Sequence, residues 1–513
     1  MYLSRLSGFC FAAIAVAHPL SAMALPNLET LNDDALIAYY ETVQSVEQPE
    51  TCKEIVPVLA EILRRPTIKG KLQGAKTLAD LNCAISEGKW VTAYRLMPDT
   101  QTYLKKDLGS LGFLIALLSD HHENASQRLI ALARAKDGTE LLSINDQQIF
   151  GLLRELWIAN QFDVRQKTAI ALLDSPHFSK LSASLQSGLN GAVIDGEGRT
   201  GIFRRSANLL DKVETPFSFT GFLSMKAFAP IWPQVEKTAG PNMAKITTRY
   251  LKAERARYKS NPESREAFQQ VAHALLFAGK FEEVVEFLGS YDHSSQGIAK
   301  ATEDDAWALN VEAYALDALG RRAEAEVIFD HIAAIPYNPN ENGWLVNFTI
   351  NRGSRLVELG QWEKGLEAAT LAGNVTTESG SPYAKMLVKR DKICALVNLK
   401  RRGDAALLIE EIFLQRKESY SSAATALLCA GDIDRAAQLV IEALSDPVYA
   451  ETMVDDLQKP EFQLFYTQSV LPTMREELLM RADVRSAYDK VGRDIPDAYI
   501  PLAGRRRVEL AGS

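Results

Sequence analysis

The chain has 513 residues, 24 % charged and 47 % hydrophobic, with 57 Lys and Arg against 65 Asp and Glu and a net charge of −8. That balance belongs to an ordinary globular protein and excludes a disordered or membrane-embedded chain. An acidic chain without clustered Lys and Arg is a poor match for nucleic acid, so no nucleic-acid partner is expected.

Residues 1–24 read as a secretory leader. Arg5 supplies a positive n-region, residues 9–17 a short apolar stretch, and Ala22-Met23-Ala24 a small-x-small site, with cleavage after Ala24. The stretch is too short to span a bilayer, and no later run reaches the roughly 18 apolar residues that spanning needs. A periplasmic or secreted bacterial protein without a transmembrane anchor is therefore expected. From Asn32-Asp33-Asp34, a helix-capping run, helical pairs continue without a clear strand and make an N-terminal array over 25–214. Cys52 and Cys83 stand at similar distances from a turn near residues 66–70, at equal height on antiparallel helices. Export favours a disulfide between them over two packed thiols.

Residues 146–173 read as a pair turning near Asn160. His121 and His122 are adjacent on a helix or loop and point in different directions, so they do not form a metal site. Gly196-Glu197-Gly198-Arg199-Thr200-Gly201 matches a dinucleotide fingerprint literally. No strand delivers the chain to it, and it reads as a glycine-rich connection between helices, with no cofactor expected. Over 215–242, Phe217, Phe219, Phe222 and Phe228 crowd together before Pro230, Pro233, Gly240 and Pro241 interrupt helical periodicity. This stretch reads as a seam between two halves, followed by a long helix over 243–258.

A repeat fills 243–495. Gly279, Gly320, Gly360 and Gly431, with Lys400 in the equivalent place, each follow a leucine by four residues: Leu275, Leu316, Leu356, Leu427 and Leu396. Small residues or isoleucine stand seven before, and Val284, Ala325, Gly365, Ala405 and Ala436 five after. Apolar spacings of three, four and seven on both sides of a turn residue describe two helices joined by a left-handed cap. A period of about 40 residues built this way is a solenoid signature. Cys394 and Cys429 fall about one turn apart in height on successive first helices, and they read as small buried residues rather than a pair. The tail 496–513 loses periodicity and is expected to be irregular.

The frame Ala313, Gly320, Ala325, Phe329, Pro336 resembles the tetratricopeptide repeat (TPR), as does Gly431, Ala436, Val440, Ala443, over about two fifths of the chain. It departs from that family in its longer period and in Leu309, which stands where an early tryptophan is usual. The resemblance implies an all-α fold, an α-solenoid of stacked antiparallel helix pairs, and binding of another chain. Trp307, Asn310 and Tyr314 share one face of a first helix, the helix that lines the groove in such repeats. They are the candidate partner-binding residues, against the plainer reading that they pack neighbouring helices. The expected function is a non-enzymatic interaction scaffold or adaptor of the bacterial envelope, with a protein or peptide partner along a concave surface. The alternative is a helical-superstructure hydrolase acting on peptidoglycan or polysaccharide, for which Glu214 is the acid nearest the aromatic segment.

Overall fold

The computed structural model describes residues 27–44, 52–66, 69–465 and 468–511. Among the described residues the chain is all-helical, with no strand. Ala24 lies outside the described residues, as does the side chain of Cys52. Cys83 is disulfide-bonded.

Counting helices of seven residues or more, the first stretch holds α1 (Asp33–Gln44), α2 (Cys52–Arg64), α3 (Lys69–Ser86) and α4 (Trp90–Leu104). There follow α5 (Gly109–Leu118), α6 (His122–Arg134), α7 (Asp146–Ile158), α8 (Phe162–Leu173) and α9 (Ala183–Thr200). The chain divides after Gly196 into two compact units. The second unit continues with α10 (Pro216–Ser224), α11 (Trp232–Ala239), α12 (Ala244–Ser260), α13 (Arg265–Phe277) and α14 (Phe281–Leu288). Then come α15 (Glu303–Ala318), α16 (Arg322–Ala333), α17 (Leu345–Glu358), α18 (Trp362–Ser379), α19 (Pro382–Asn398) and α20 (Arg402–Leu414). The last are α21 (Tyr420–Ala430), α22 (Ile433–Ser445), α23 (Ala450–Asp456), α24 (Ala482–Val491) and α25 (Leu502–Ala511).

The turn residues behave as their spacing requires. Gly279, Gly320, Gly360 and Gly431 all have positive φ, and so does Lys400 at φ 63. The residue after each donates its N–H back to the leucine of the frame: Arg321 to the Leu316 carbonyl at 2.8 Å, Arg401 to Leu396 at 2.8 Å, Asp432 to Leu427 at 2.8 Å. This is the six-to-one bond of a left-handed helix end. The leucine therefore has two jobs, because its side chain is also core: Leu316 is 2 % exposed. It packs with Leu309, Ala313, Ala325, Phe329 and Phe348. In the first unit Gly88, Asp120 and Asn160 take the same left-handed conformation between paired helices, and the Asn32 side chain caps α1 through the Ala35 N–H at 2.8 Å.

Four expectations are corrected. Residues 196–200 lie inside α9 rather than in a connection. Its buried Glu197 carboxylate accepts from the backbone N–H groups of Arg205 and Ser206 and from the Ser206 hydroxyl. The 215–242 stretch is not a seam between halves but lies within the second unit. Three of its four phenylalanines make core, where Phe222 meets Phe219 and Phe228 edge-on, at 5.9 and 5.0 Å between ring centres, while Phe217 is exposed. The tail is not irregular, since Leu502–Ala511 is helical. Arg507 donates to the carbonyls of Gln463 and Leu464, and Arg506 pairs with Glu282 at 3.1 Å. Cys394 and Cys429 are joined, with 5.1 Å between their Cα atoms. Only 31 residues separate Lys400 from Gly431, and this shorter step sets α21 about one turn along α19, which brings the two positions level.

Packing in the second unit joins its start to its end. α10 lies against α23, and the segment before α11 against α24. Arg493 is the clasp. Its N–H donates to the Ser224 carbonyl at 2.8 Å, its Nε to the Leu223 carbonyl at 2.7 Å and its Nη2 to Glu236 at 2.9 Å. Its guanidinium lies 3.5 Å over the Trp232 ring.

Candidate functional site

Trp307, Asn310 and Tyr314 do share one face of α15, and that face is turned toward α17 and Phe465. The Trp307 ring lies 4.8 Å from Phe348, and its indole N–H reaches Glu303 at 3.4 Å. Asn310 is fully buried and accepts from the Asn351 side-chain amide at 3.2 Å. Its own Nδ2 has no partner among the described residues. The half-buried Tyr314 ring packs 5.1 Å from Phe465 and 5.9 Å from Phe329. Burial, with Glu358 and Asp317 nearby, pushes its phenol well above the usual range.

From Asn310 a polar strip runs across the first helices of successive pairs. On α17, Asn351, Ser354 and Glu358 stand three and four apart, hence on one face. The Ser354 hydroxyl donates to Asp391 of α19 at 2.6 Å. Arg390 donates to Asp391 at 2.8 Å and to Ser354 at 2.9 Å, and it stabilises the charged forms of Glu358 and Asp456 as well. Farther on, the Ser421 hydroxyl of α21 donates to Asp456, and the Ser224 hydroxyl of α10 donates to Asp455 at 3.2 Å. Four carboxyl groups thus gather along the strip with Arg390 among them.

The environment is desolvated although several of these side chains keep some surface. Tyr383 is 37 % exposed, yet burial raises its phenol. That combination fits the wall of a concavity, where protein surrounds a group that still touches solvent. Burial pushes the Glu358 carboxyl up to about 7 against the pull of Arg390. Burial and the neighbouring Asp456 push Asp455 up to about 7. Burial drives the His273 imidazole on α13 down to about 4, so it is neutral at physiological pH; its ring lies 5.6 Å from Phe465. Perturbed groups gathered in this way mark a functional-site candidate.

Asp455 and Asp456 bond to different serines on different helices, as neighbours on a helix must, and so do not form a shared-proton dyad. Glu214 is taken up by Arg257, which also bonds Glu254. The His121 Nδ1 donates to the Ser119 carbonyl at 2.7 Å and its ring stacks on Tyr94 at 3.6 Å, while the His122 ring nitrogen lies 3.8 Å from Asp120. Sequence reasoning missed Glu358, Arg390 and Asp391. A signal for the strip was present: ten residues before the turn stand Gln269, Asn310, Arg390 and Ser421, polar in four of five frames.

No described helix is long and apolar enough to cross a membrane. The sequence matches no family model, and no curated protein matches it.

Proposed function

We propose that the chain is an exported, non-enzymatic interaction protein of the bacterial envelope. In this reading the second unit is a TPR-like array of stacked helix pairs, bent until its ends meet, and it holds a protein or peptide segment on the polar strip of its first helices. The observation that carries the reading is that strip: hydrogen bonds link α15 to α17 and α17 to α19, and Ser354, Glu358 and Arg390, which keep some surface, stand together among several carboxyls. An extended chain offers carbonyls and N–H groups that the partly exposed hydroxyl, carboxyl and guanidinium groups of this strip can pair with. Export is supported by the cysteines, because disulfides such as Cys394–Cys429 persist in oxidising compartments.

The test is affinity capture from an envelope extract, with the wild-type chain beside Tyr383→Ala and Glu358→Gln. Expected is a defined partner held by the wild type and lost from both variants. Equal recovery on all three baits, or none on any, overturns the reading. A second reading, an envelope hydrolase, is favoured by two carboxyls that keep a proton to about 7, Glu358 and Asp455, as a general acid requires. Release of soluble fragments from peptidoglycan, abolished by Asp455→Asn, would carry it instead.

A further inference from the structure

Away from the polar strip, the second unit holds a cavity of about 390 Å³ lined by Thr247, Leu251, Lys252, Arg255, Ala278, Lys280 and Leu502, with Thr248 beside them. That size lies in the range of small-molecule sites. One wall is a face of α12, on which Thr247, Leu251 and Arg255 follow at four-residue steps. The second is the turn at Ala278–Lys280, and the third is the start of α25. The turn presses closely on that helix: a Cβ on Gly279 would stand 2.9 Å from the Leu502 carbonyl oxygen. The C-terminal helix thus forms the third wall of an open cleft, held there by Arg506 on Glu282 and by Arg507 on the backbone of residues 463 and 464.

The lining has three parts. At one end Thr247 is fully buried, and its hydroxyl has no partner among the described residues. Leu251, Ala278 and Leu502 make an apolar middle. At the other end are three cations and one nearby acid: Arg255 pairs with Glu283 at 2.7 Å, Lys280 shares the same carboxylate, and the exposed Lys252 pairs with nothing among the described residues. Among the described residues the positive excess at the mouth is not neutralised, and the buried hydroxyl has no partner. Helical rise puts Thr247 and Arg255 about 12 Å apart, the reach of a medium-length aliphatic chain.

We propose that this cavity binds an amphiphilic organic acid. Its carboxylate sits at Lys252, Arg255 and Lys280, its aliphatic body lies on Leu251, Ala278 and Leu502, and a second oxygen at its far end pairs with the Thr247 hydroxyl. This site is separate from the polar strip and does not depend on the partner-binding reading. Calorimetric titration of the full chain tests it, with octanoate, its ω-hydroxy derivative, octanol and octylamine as probes. Octanoate should bind saturably, octanol about tenfold more weakly, and octylamine not at all. Lys252→Glu, at an exposed residue without a partner, should weaken octanoate about tenfold while leaving the fold intact by circular dichroism. Thr247→Val should erase the preference for the ω-hydroxy acid over octanoate. Absence of saturation, equal binding of octylamine, or wild-type affinity in Lys252→Glu would each overturn the assignment.

Discussion

In the first unit the main helix packing runs between near neighbours along the chain, α1 on α2, α2 on α3, and so on to α6 on α8. In the second unit the same neighbour packing runs from α12 to α24, and it is then closed by contacts of α10 and α25 with elements from the other end. Both units use the same left-handed turn between paired helices. The difference lies in what the ends do. Where contacts are only local, stability is close to a sum of units and interfaces, and one end can loosen without the other. Where the ends are clasped, local loosening must also break long-range contacts, and the whole unit should respond together.

The severest test of that contrast is Asp317→Ala. Asp317 and Arg355 form a buried pair between α15 and α17, bonded twice at 2.6 Å, with side chains 6 % and 1 % exposed. Removing the carboxylate leaves a buried guanidinium without its partner, at a cost of about 3–5 kcal/mol. Hydrogen exchange on the variant should show protection falling throughout the second unit while the first unit keeps its own. Loss confined to residues 303–358 would mean that closure does not couple the unit.

Arg493→Ala attacks the clasp itself. The side chain is 20 % exposed and gives up an ion pair, a carbonyl hydrogen bond and a stacked tryptophan. With partial solvent screening this amounts to on the order of 2 kcal/mol. Exchange should rise first at residues 216–239 and 482–495, with the middle pairs following only at lower stability. An unchanged melting temperature would show that the ends need no clasp.

This contrast also divides what was legible in the sequence from what was not. The paired helices and their turns were readable because each depends on residues a few positions apart: Gly320 with Leu316 and Ala325, or Lys400 with Leu396. The clasp was not, since Arg493 meets Glu236 across 257 positions, and no periodicity encodes such a contact. The Cys394–Cys429 bond was missed because equal register between successive first helices was assumed where the 31-residue step breaks it. At the site, spacing on α15 put Asn310 and Tyr314 on one face. Glu358, Arg390 and Asp391 went unseen because attention to the apolar frame passes over the polar positions between its members.

Turn substitutions sharpen the comparison at the element both units share. Gly320 has φ +76 and nothing within 4 Å of an added Cβ, so Gly320→Val tests backbone strain alone and should cost about 1–3 kcal/mol. The reverse change, Lys400→Gly, should stabilise the second unit by about 1 kcal/mol. Asn160→Gly should gain the first unit less, because asparagine already tolerates the left-handed region. Denaturant melts of the three variants would separate these signs, and equal effects at positions 160 and 400 would mean that side-chain contacts rather than φ decide the turns.

The smallest effect expected is a pH dependence confined to the second unit. His293 bonds the buried Glu312 carboxylate at 2.6 Å, and that bond raises the imidazole above its ordinary value. A raised folded-state value means the stabilisation is full below about pH 6.5, the unfolded value, and fades as pH rises through the folded one. Glu358 and Asp455, raised to about 7, act in the same direction, since the folded unit binds more protons than the unfolded chain in that interval. His273, lowered to about 4, acts the opposite way and its contribution is complete once pH passes about 6.5, so the second unit should become less stable from about pH 6.5 to mildly alkaline pH. His293→Asn isolates the histidine's share, because it removes one titrating group and leaves the carboxyls. If the variant's stability falls with pH as steeply as the wild type's, the His293–Glu312 pair contributes nothing to the slope and the raised carboxyls of the unit, Glu254, Glu358, Asp391, Asp455 and Asp456, account for it.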